Sequence, residues 1–511
     1  MRAGLYGRSL ICGMMCLFFI LSACDGSRGS NVQESGIRAT ARESSENMAF
    51  QEPFSISFMT TSFTNDPATS ESPILKKLEE ITNTRLNMIW VNNSSYNDQM
   101  NLAFASGTLP NVMLITSKSP SVIAAAKSDA FWELEPYLGV YENLRQANAT
   151  VLKNISIDGK IFGIPRMRTL GRYGILYRKD WLEEEGLAEP KTIDEFYNML
   201  KAFTEGDPNR DGQSDTYGMI LTSGGESLEI MQTWFGVPKI WGEKEDGSLI
   251  PAYLTPEYKE ALRFFRKLYA EKLVNQDFPV FDASRWNDPF VNGEGGCIVD
   301  VADRANTLYA RMQRIGIDNP EIDVTGTVSG PKGARSYSTS GYSGFFAVAR
   351  SSVRTEGELK RVLEFMDKLN DREIQDLLYY GIEGRHYIVE NGTVTRKMAE
   401  GVSETERNDL SMLLTFIPRD LTTPVKMTEL REKVVRVQAE NDKIIVSNPA
   451  ESLTSDVYTA KGTMLDKLVN EARIRYITGE IDDVGLDEAL QLWRSSGGDD
   501  YIREMNEKYV R

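Results

Sequence analysis

Phe54-Ser55-Ile56-Ser57-Phe58, Leu86-Asn87-Met88-Ile89-Trp90 and Val112-Met113-Leu114-Ile115 decide the fold of this chain. The first two alternate apolar and polar residues, the period of a half-buried strand, and the third is apolar throughout, as a fully buried strand is. Between the first pair, Pro73 opens a helix whose Ile74, Leu78 and Ile81 share one face. Between the second pair, a helix over Tyr96–Ser106 is closed by Gly107, with Pro110 beyond it. Strand, helix, strand, helix, strand is the order of an α/β protein with a parallel sheet and right-handed crossovers. Such sheets bind ligands beyond the carboxyl ends of their strands. Here those ends are Thr60–Asp66 and Thr116–Pro120, which makes Asn65, Asp66 and Ser117 candidate ligand contacts. Neither loop carries a GxGxxG pattern or a phosphate-binding lysine, so nothing points to a nucleotide.

Towards the C-terminus the pattern restarts. Asp158-Gly159 forms a turn, and Tyr173-Gly174-Ile175-Leu176-Tyr177 begins a second unit. Thr192 and Glu195 form a capping box ahead of Phe196, Leu200 and Phe203. Pro256 starts a long amphipathic helix, and helices follow near Arg304–Arg314 and Leu359–Leu378. A mostly helical C-terminal part ends with Leu486, Leu490 and Trp493 on one face.

Towards the N-terminus, Arg2 and Arg8 precede an apolar run from Leu10 to Leu21 and then Leu21-Ser22-Ala23-Cys24. A positive start, a short apolar stretch and small residues before the cut predict a secretory signal over 1–23, since a spanning helix needs roughly 20 apolar residues. The last four residues resemble the lipobox of bacterial lipoproteins, which implies a lipid on Cys24 and a protein anchored to the outer face of the cell membrane. Residues 24–51 are rich in Ser, Gly, Arg and Glu and predict a flexible tether of roughly 30 Å.

The 511 residues are enough for two domains or lobes. The net charge of −16 becomes −18 once Arg2 and Arg8 leave with the signal. A surface this acidic disfavours nucleic acid. Of four cysteines only Cys297 remains unassigned after the signal and Cys24, so no intramolecular disulfide is expected, and its apolar setting predicts a buried thiol.

The sharpest chemical pattern is Asp207-Pro208-Asn209-Arg210-Asp211-Gly212-Gln213-Ser214-Asp215. Oxygen donors at Asp207, Asn209, Asp211 and Asp215, a carbonyl at Gln213 and glycine at the sixth position match the front of an EF-hand loop. The pattern predicts a structural Ca²⁺ site, and without metal the same residues make an Asp/Asn/Gly turn. The departure is Gly218, which stands where a bidentate glutamate would. Catalytic patterns are poor: His386 is the only histidine, in a turn-like segment without a nucleophile elbow, so the chain reads as no enzyme. Trp234 and Trp241 flank the loop-like Phe235-Gly236-Val237-Pro238, and Tyr342 lies in a Ser/Gly-rich segment. Rings on loops suit the apolar faces of sugars, and the same rings would otherwise pack in lobe cores.

Residues 105–111, 158–165, 177–182, 190–196, 207–215, 268–273 and 380–384, in that order, resemble the family 1 extracellular solute-binding proteins of ABC transporters, and among them the LipO-type lipoproteins. The resemblance covers about residue 52 to the end. It implies two α/β lobes of the type II periplasmic-binding-protein-like fold, joined by a hinge with ligand in the cleft. Lobe one would be 52–165 and 337–388 and lobe two 166–336 and 389–511, with crossings near Pro165-Arg166, Tyr337–Gly344 and Gly384–Tyr387. It further implies a monomer that captures a small carbohydrate, usually an oligosaccharide, and hands it to ABC permease membrane subunits. Alginate-binding relatives hold calcium at the loop matching Asp207–Asp215, with an acid where this chain has Thr216. Cleft candidates by loop position are Asn65, Asp66, Ser117, Arg166, Trp234, Trp241, Tyr342 and Glu383. The alternatives are a sensor or peptide-binding lipoprotein and a glycan-acting enzyme, which would need a carboxylate pair across the cleft.

Overall fold

The strands expected around the opening stretch form Phe54–Ser62, Thr84–Asn92 and Val112–Ile115 in a computed structural model of the chain. It describes residues 52–509 except 214, 419 and 420. The signal over 1–23, Cys24 and the tether therefore lie outside the described residues.

The first sheet has five strands in the spatial order Thr84–Asn92, Phe54–Ser62, Val112–Ile115, Tyr342–Val348 and Gly163–Met167. The second has four, in the order Ile322–Thr325, Tyr173–Arg178, Gly295–Val301 and Tyr217–Met219. Each anchors its own apolar core, one around Phe58, Leu114, Phe346 and Leu363, the other around Trp181, Phe203, Leu262 and Cys297. The two-lobed α/β reading holds. Each sheet is mixed rather than wholly parallel. Tyr342–Val348 and Tyr173–Arg178 run antiparallel to both neighbours. The reason is connectivity: a strand that arrives from the other lobe enters at the edge where its neighbours end.

Capping fixes the helices. Ser72 accepts from the amides of Ile74 and Leu75 with Pro73 at the first position, and Thr192 accepts from Glu195. The Glu195 carboxylate takes the amide of Lys191, one residue upstream of the reciprocal partner that a capping box requires. The single helix expected over 359–378 is two, Glu356–Lys368 and Arg372–Tyr380. Asn370 breaks it. Fully buried, it accepts from the Thr415 hydroxyl and the Ile417 amide while donating to the Met366 carbonyl.

That contact moves a boundary. The sequence reading assigns 389–511 to lobe two, but Leu410, Leu413, Leu414 and Ile417 pack in the first core. The segment Gly384–Tyr387 therefore does not cross. His386 and Tyr387 stay with the first lobe, where the His386 Nδ1 accepts the Ile382 amide and Tyr387 packs on Tyr380. The chain crosses instead after Val425, which bridges to Val394, and before Leu430, which packs on a core of the second lobe.

Two crossings run side by side at the hinge. Arg168 N donates to the Gly341 carbonyl (2.7 Å) and Thr339 N to the Leu170 carbonyl (2.8 Å). A Cβ on Gly171 would lie 2.4 Å from the Asp442 nitrogen, so only glycine allows that approach, and the Gly171 amide donates to the Asp442 carboxylate at 2.6 Å.

Candidate functional site

The run Arg166-Met167-Arg168-Thr169-Leu170-Gly171-Arg172 ends the last strand of the first sheet and leads into the second lobe. In extended chain, residues two apart share a face, so Arg166 and Arg168 project together. A cavity of about 360 Å³ opens there between the lobes. Arg166, Met167, Ser343, Tyr379 and Phe416 line it from the first lobe, Arg172, Asp303 and Gln438 from the second, and Arg168 and Thr169 from the crossing itself. Its volume is in the range of small-molecule sites, and two aromatic rings beside several polar groups are the usual lining.

The electrostatics are unusual for so acidic a chain. Arg172 is held by Asp303 at 2.7 Å. Arg166 is 8% exposed, and its guanidinium meets only neutral atoms, the carbonyls of Leu414 (3.2 Å) and Ser411 (3.4 Å) and the Met412 sulfur. Burial, with neighbouring Arg168, pushes it down to about 10. Arg168 is exposed, and its side chain has no hydrogen-bond or ion-pair partner among the described residues. Burial and then Arg172 lower its pKa, against the pull of Asp303. The Nε2 of Gln438 is buried without a partner.

The lobes meet at a second place. A strap over 450–454 leaves the second lobe, where Ala450 packs on Trp241 and Glu451 pairs with Lys239 at 3.4 Å. It then touches the first lobe. Lys118 donates to the carbonyls of Asn154 (2.8 Å) and Ser156 (3.2 Å) and to that of Glu451. Asp158 accepts from Thr454 N (3.1 Å), Thr454 Oγ1 (2.8 Å) and Lys127 (2.9 Å), while its amide donates to the Ser452 carbonyl. Burial brings Lys118 down to about 8 against the pull of Glu451 and Asp158.

Of the residues expected in the cleft, Arg166 alone lines the cavity. Asn65, Asp66 and Ser117 are exposed at the ends of first-lobe strands, with the Asp66 carbonyl taken by Asn408. Tyr342 is half-buried and packs against Phe345. Glu383 is exposed in its turn. The two tryptophans are corrections. Trp234 is 1% exposed and lies edge-on to Phe196; Trp241 is 2% exposed, edge-on to Tyr501 with its Nε1 donating to that hydroxyl. Both rings are core, each burial worth about 1.5–3 kcal/mol, and Trp234 reaches only the wall of a small pocket beside Tyr173 and Tyr337. Sequence reasoning missed Arg168, Arg172, Asp303, Tyr379, Phe416 and Gln438. The spacing of Arg166, Arg168 and Arg172 was a readable signal. Gln438, one polar position on a helix, gave none.

In the Asp207 loop, Asp207 accepts the amides of Asp211 (3.1 Å) and Gly212 (3.0 Å), and Asp211 that of Gln213 (2.8 Å). Asn209 and Asp211 are linked at 3.2 Å, and Asp215 lies at the far end. Gly218 sits inside the strand Tyr217–Met219 against Leu200, leaving no room for a twelfth-position side chain. Among the described residues, no three acidic, cysteine or histidine side chains gather as a metal cluster. The donor types suit a hard cation, but the set is short of ligands.

The family model for bacterial extracellular solute-binding proteins matches residues 60–376. The chain is 42% identical over 481 residues to lipoprotein LipO of Bacillus subtilis (strain 168), covering 93% of this chain and 96% of that one. It is 35% identical over 485 residues to the polygalacturonan/rhamnogalacturonan-binding protein YtcQ of the same organism, covering 93% and 95%. Among solved structures it resembles an EF-hand mutant of the Streptococcus pneumoniae ABC-transporter substrate-binding protein FusA in complex with fructo-nystose, with TM-score 0.62 and 18% identity over 89% of this chain and 98% of that one.

Proposed function

The chain belongs to the bacterial extracellular solute-binding proteins of ABC transporters, and from that premise we propose that it captures an oligosaccharide between its lobes and delivers it to a permease. The observation that carries this reading is the inter-lobe cavity, where Tyr379 and Phe416 stand beside arginine, serine and amide side chains. Rings stack on the apolar faces of sugars while the polar groups take hydroxyls. Relatives named for polygalacturonan and fructooligosaccharide binding support it. Hinge closure follows if the sugar contacts both lobes at once, because it then binds the closed state better than the open one. Lipid anchoring at Cys24 places the protein on the outer face of the membrane, in keeping with the lipoprotein relative. The Asp207 loop is proposed as a structural calcium site completed by water, with Asp207, Asn209, Asp211, Asp215 and the Gln213 carbonyl as donors.

The test is a thermal-shift and calorimetric screen of oligosaccharides on protein lacking residues 1–24. Stabilisation by a sugar that is recovered intact supports the reading. Product formation, or no stabilisation by any sugar, contradicts it.

A further inference from the structure

The cavity at the crossing holds more positive charge than its own acids neutralise. Of three guanidiniums, only that of Arg172 is ion-paired with a carboxylate, Asp303, whose charge also reaches Arg168. Arg166 is buried against carbonyls, which accept its hydrogen bonds without cancelling its charge. Arg168, exposed at the opening, has no side-chain hydrogen bond or ion pair among the described residues, and the nearby Gln438 Nε2 is buried without a partner among them. A charge removed from water is costly unless paired, and a buried amide donor left alone costs about 1–3 kcal/mol. A chain with net charge −16 nonetheless gathers these groups around one opening.

We propose that this cavity is the subsite for a carboxylate of an acidic oligosaccharide, a uronate unit whose anion is taken by Arg168 with support from Arg166 and Gln438. The inference rests on the solute-binding reading and narrows it to a substrate class. A guanidinium presents its donors in a planar fork that matches a carboxylate in two parallel hydrogen bonds. Tyr379, 39% exposed, and Phe416 stand at the same cavity to meet the pyranose face. Arg168 comes from the crossing, Arg166 from the first lobe and Gln438 from the second, so one anion can tie both lobes together.

Isothermal titration of the protein lacking residues 1–24 tests this with uronate trimers (galacturonate and mannuronate), their carboxyl-reduced neutral counterparts and inorganic phosphate. A uronate trimer is expected to bind at least about tenfold tighter than its neutral counterpart, a preference that weakens with salt. Arg168→Gln is expected to remove most of the preference of acid over neutral sugar and to melt at an unchanged temperature; Arg168→Lys restores part of the preference. Equal affinity for acid and neutral sugars, unmoved by Arg168→Gln, overturns the carboxylate subsite and leaves the oligosaccharide reading standing. Binding of neither sugar class overturns both. Tight binding of phosphate alone, abolished by Arg168→Gln, reassigns the cavity to an inorganic anion.

Discussion

The lobes meet around two cations, the half-buried Lys118 and the buried Arg166, that the fold treats in opposite ways. At the strap, Lys118 is surrounded by three carbonyls, two from the first lobe and one from the second, and Asp158 beside it has all its neighbours in place. At the crossing, Arg166 has carbonyls on one side only, and Arg168 and Gln438 keep donors without partners. A joint with every polar group satisfied holds the lobes. A joint with spare donors has capacity for a further acceptor. The difference is the one the proposed anion subsite calls for, a satisfied contact at the strap and open donors at the crossing.

The largest expected effect breaks the first joint. Lys118→Met leaves the carbonyls of Asn154, Ser156 and Glu451 unpaired and should lower unfolding stability by about 2 kcal/mol in urea titrations. The pH dependence has a definite sign. Folded Lys118 releases its proton near 8, whereas the unfolded chain keeps it to the ordinary lysine value, so the unfolded state binds more protons between the two. Wild-type stability should therefore rise relative to the variant as pH goes from about 8 to 10; a gap that narrows over that range would refute the assignment.

Glu504 sharpens the contrast from the strap's other end. It accepts the amides of Asp456 (2.9 Å) and Val457 (3.1 Å) and the Ser455 hydroxyl, which caps the following helix. Although burial opposes its charge, these bonds, Ser455 first, hold its carboxyl at about 2. Glu504→Gln should cost about 1 kcal/mol at neutral pH. That stability is present above the ordinary carboxylate value and fades as pH falls towards 2, so wild type and variant should converge in acid unfolding.

At the second joint, Arg168→Gln should leave stability within about 0.5 kcal/mol, because it removes no contact. The smallest effect lies in the Asp207 loop, remote from both joints in sequence. If it holds calcium, excess Ca²⁺ should raise the melting temperature and chelation reverse the rise, with Asp211→Ala abolishing the response.

What the sequence disclosed follows the same division. Strands at 54–62, 84–92 and 112–115 were legible because period and capping are local. The third crossing was misplaced because 389–425 has no sustained period, and its membership in the first lobe rests on Asn370, whose contacts are remote in sequence. Trp234 and Trp241 were expected on loops and are core, since a loop-like sequence can be buried by what packs over it. Arg166 was found by its place at the hinge. Arg168 was legible from its spacing but went unread, and Gln438 emerges only when a helix from the other lobe arrives.

A crystal structure of the protein loaded with a uronate trimer tests the central contrast directly. The account predicts a sugar carboxylate within hydrogen-bond distance of the Arg168 guanidinium, with the contacts of Lys118 to the Glu451 carbonyl and of Asp158 to Thr454 intact. A sugar bound away from the crossing, or a strap released from Lys118 and Asp158 on loading, would contradict it.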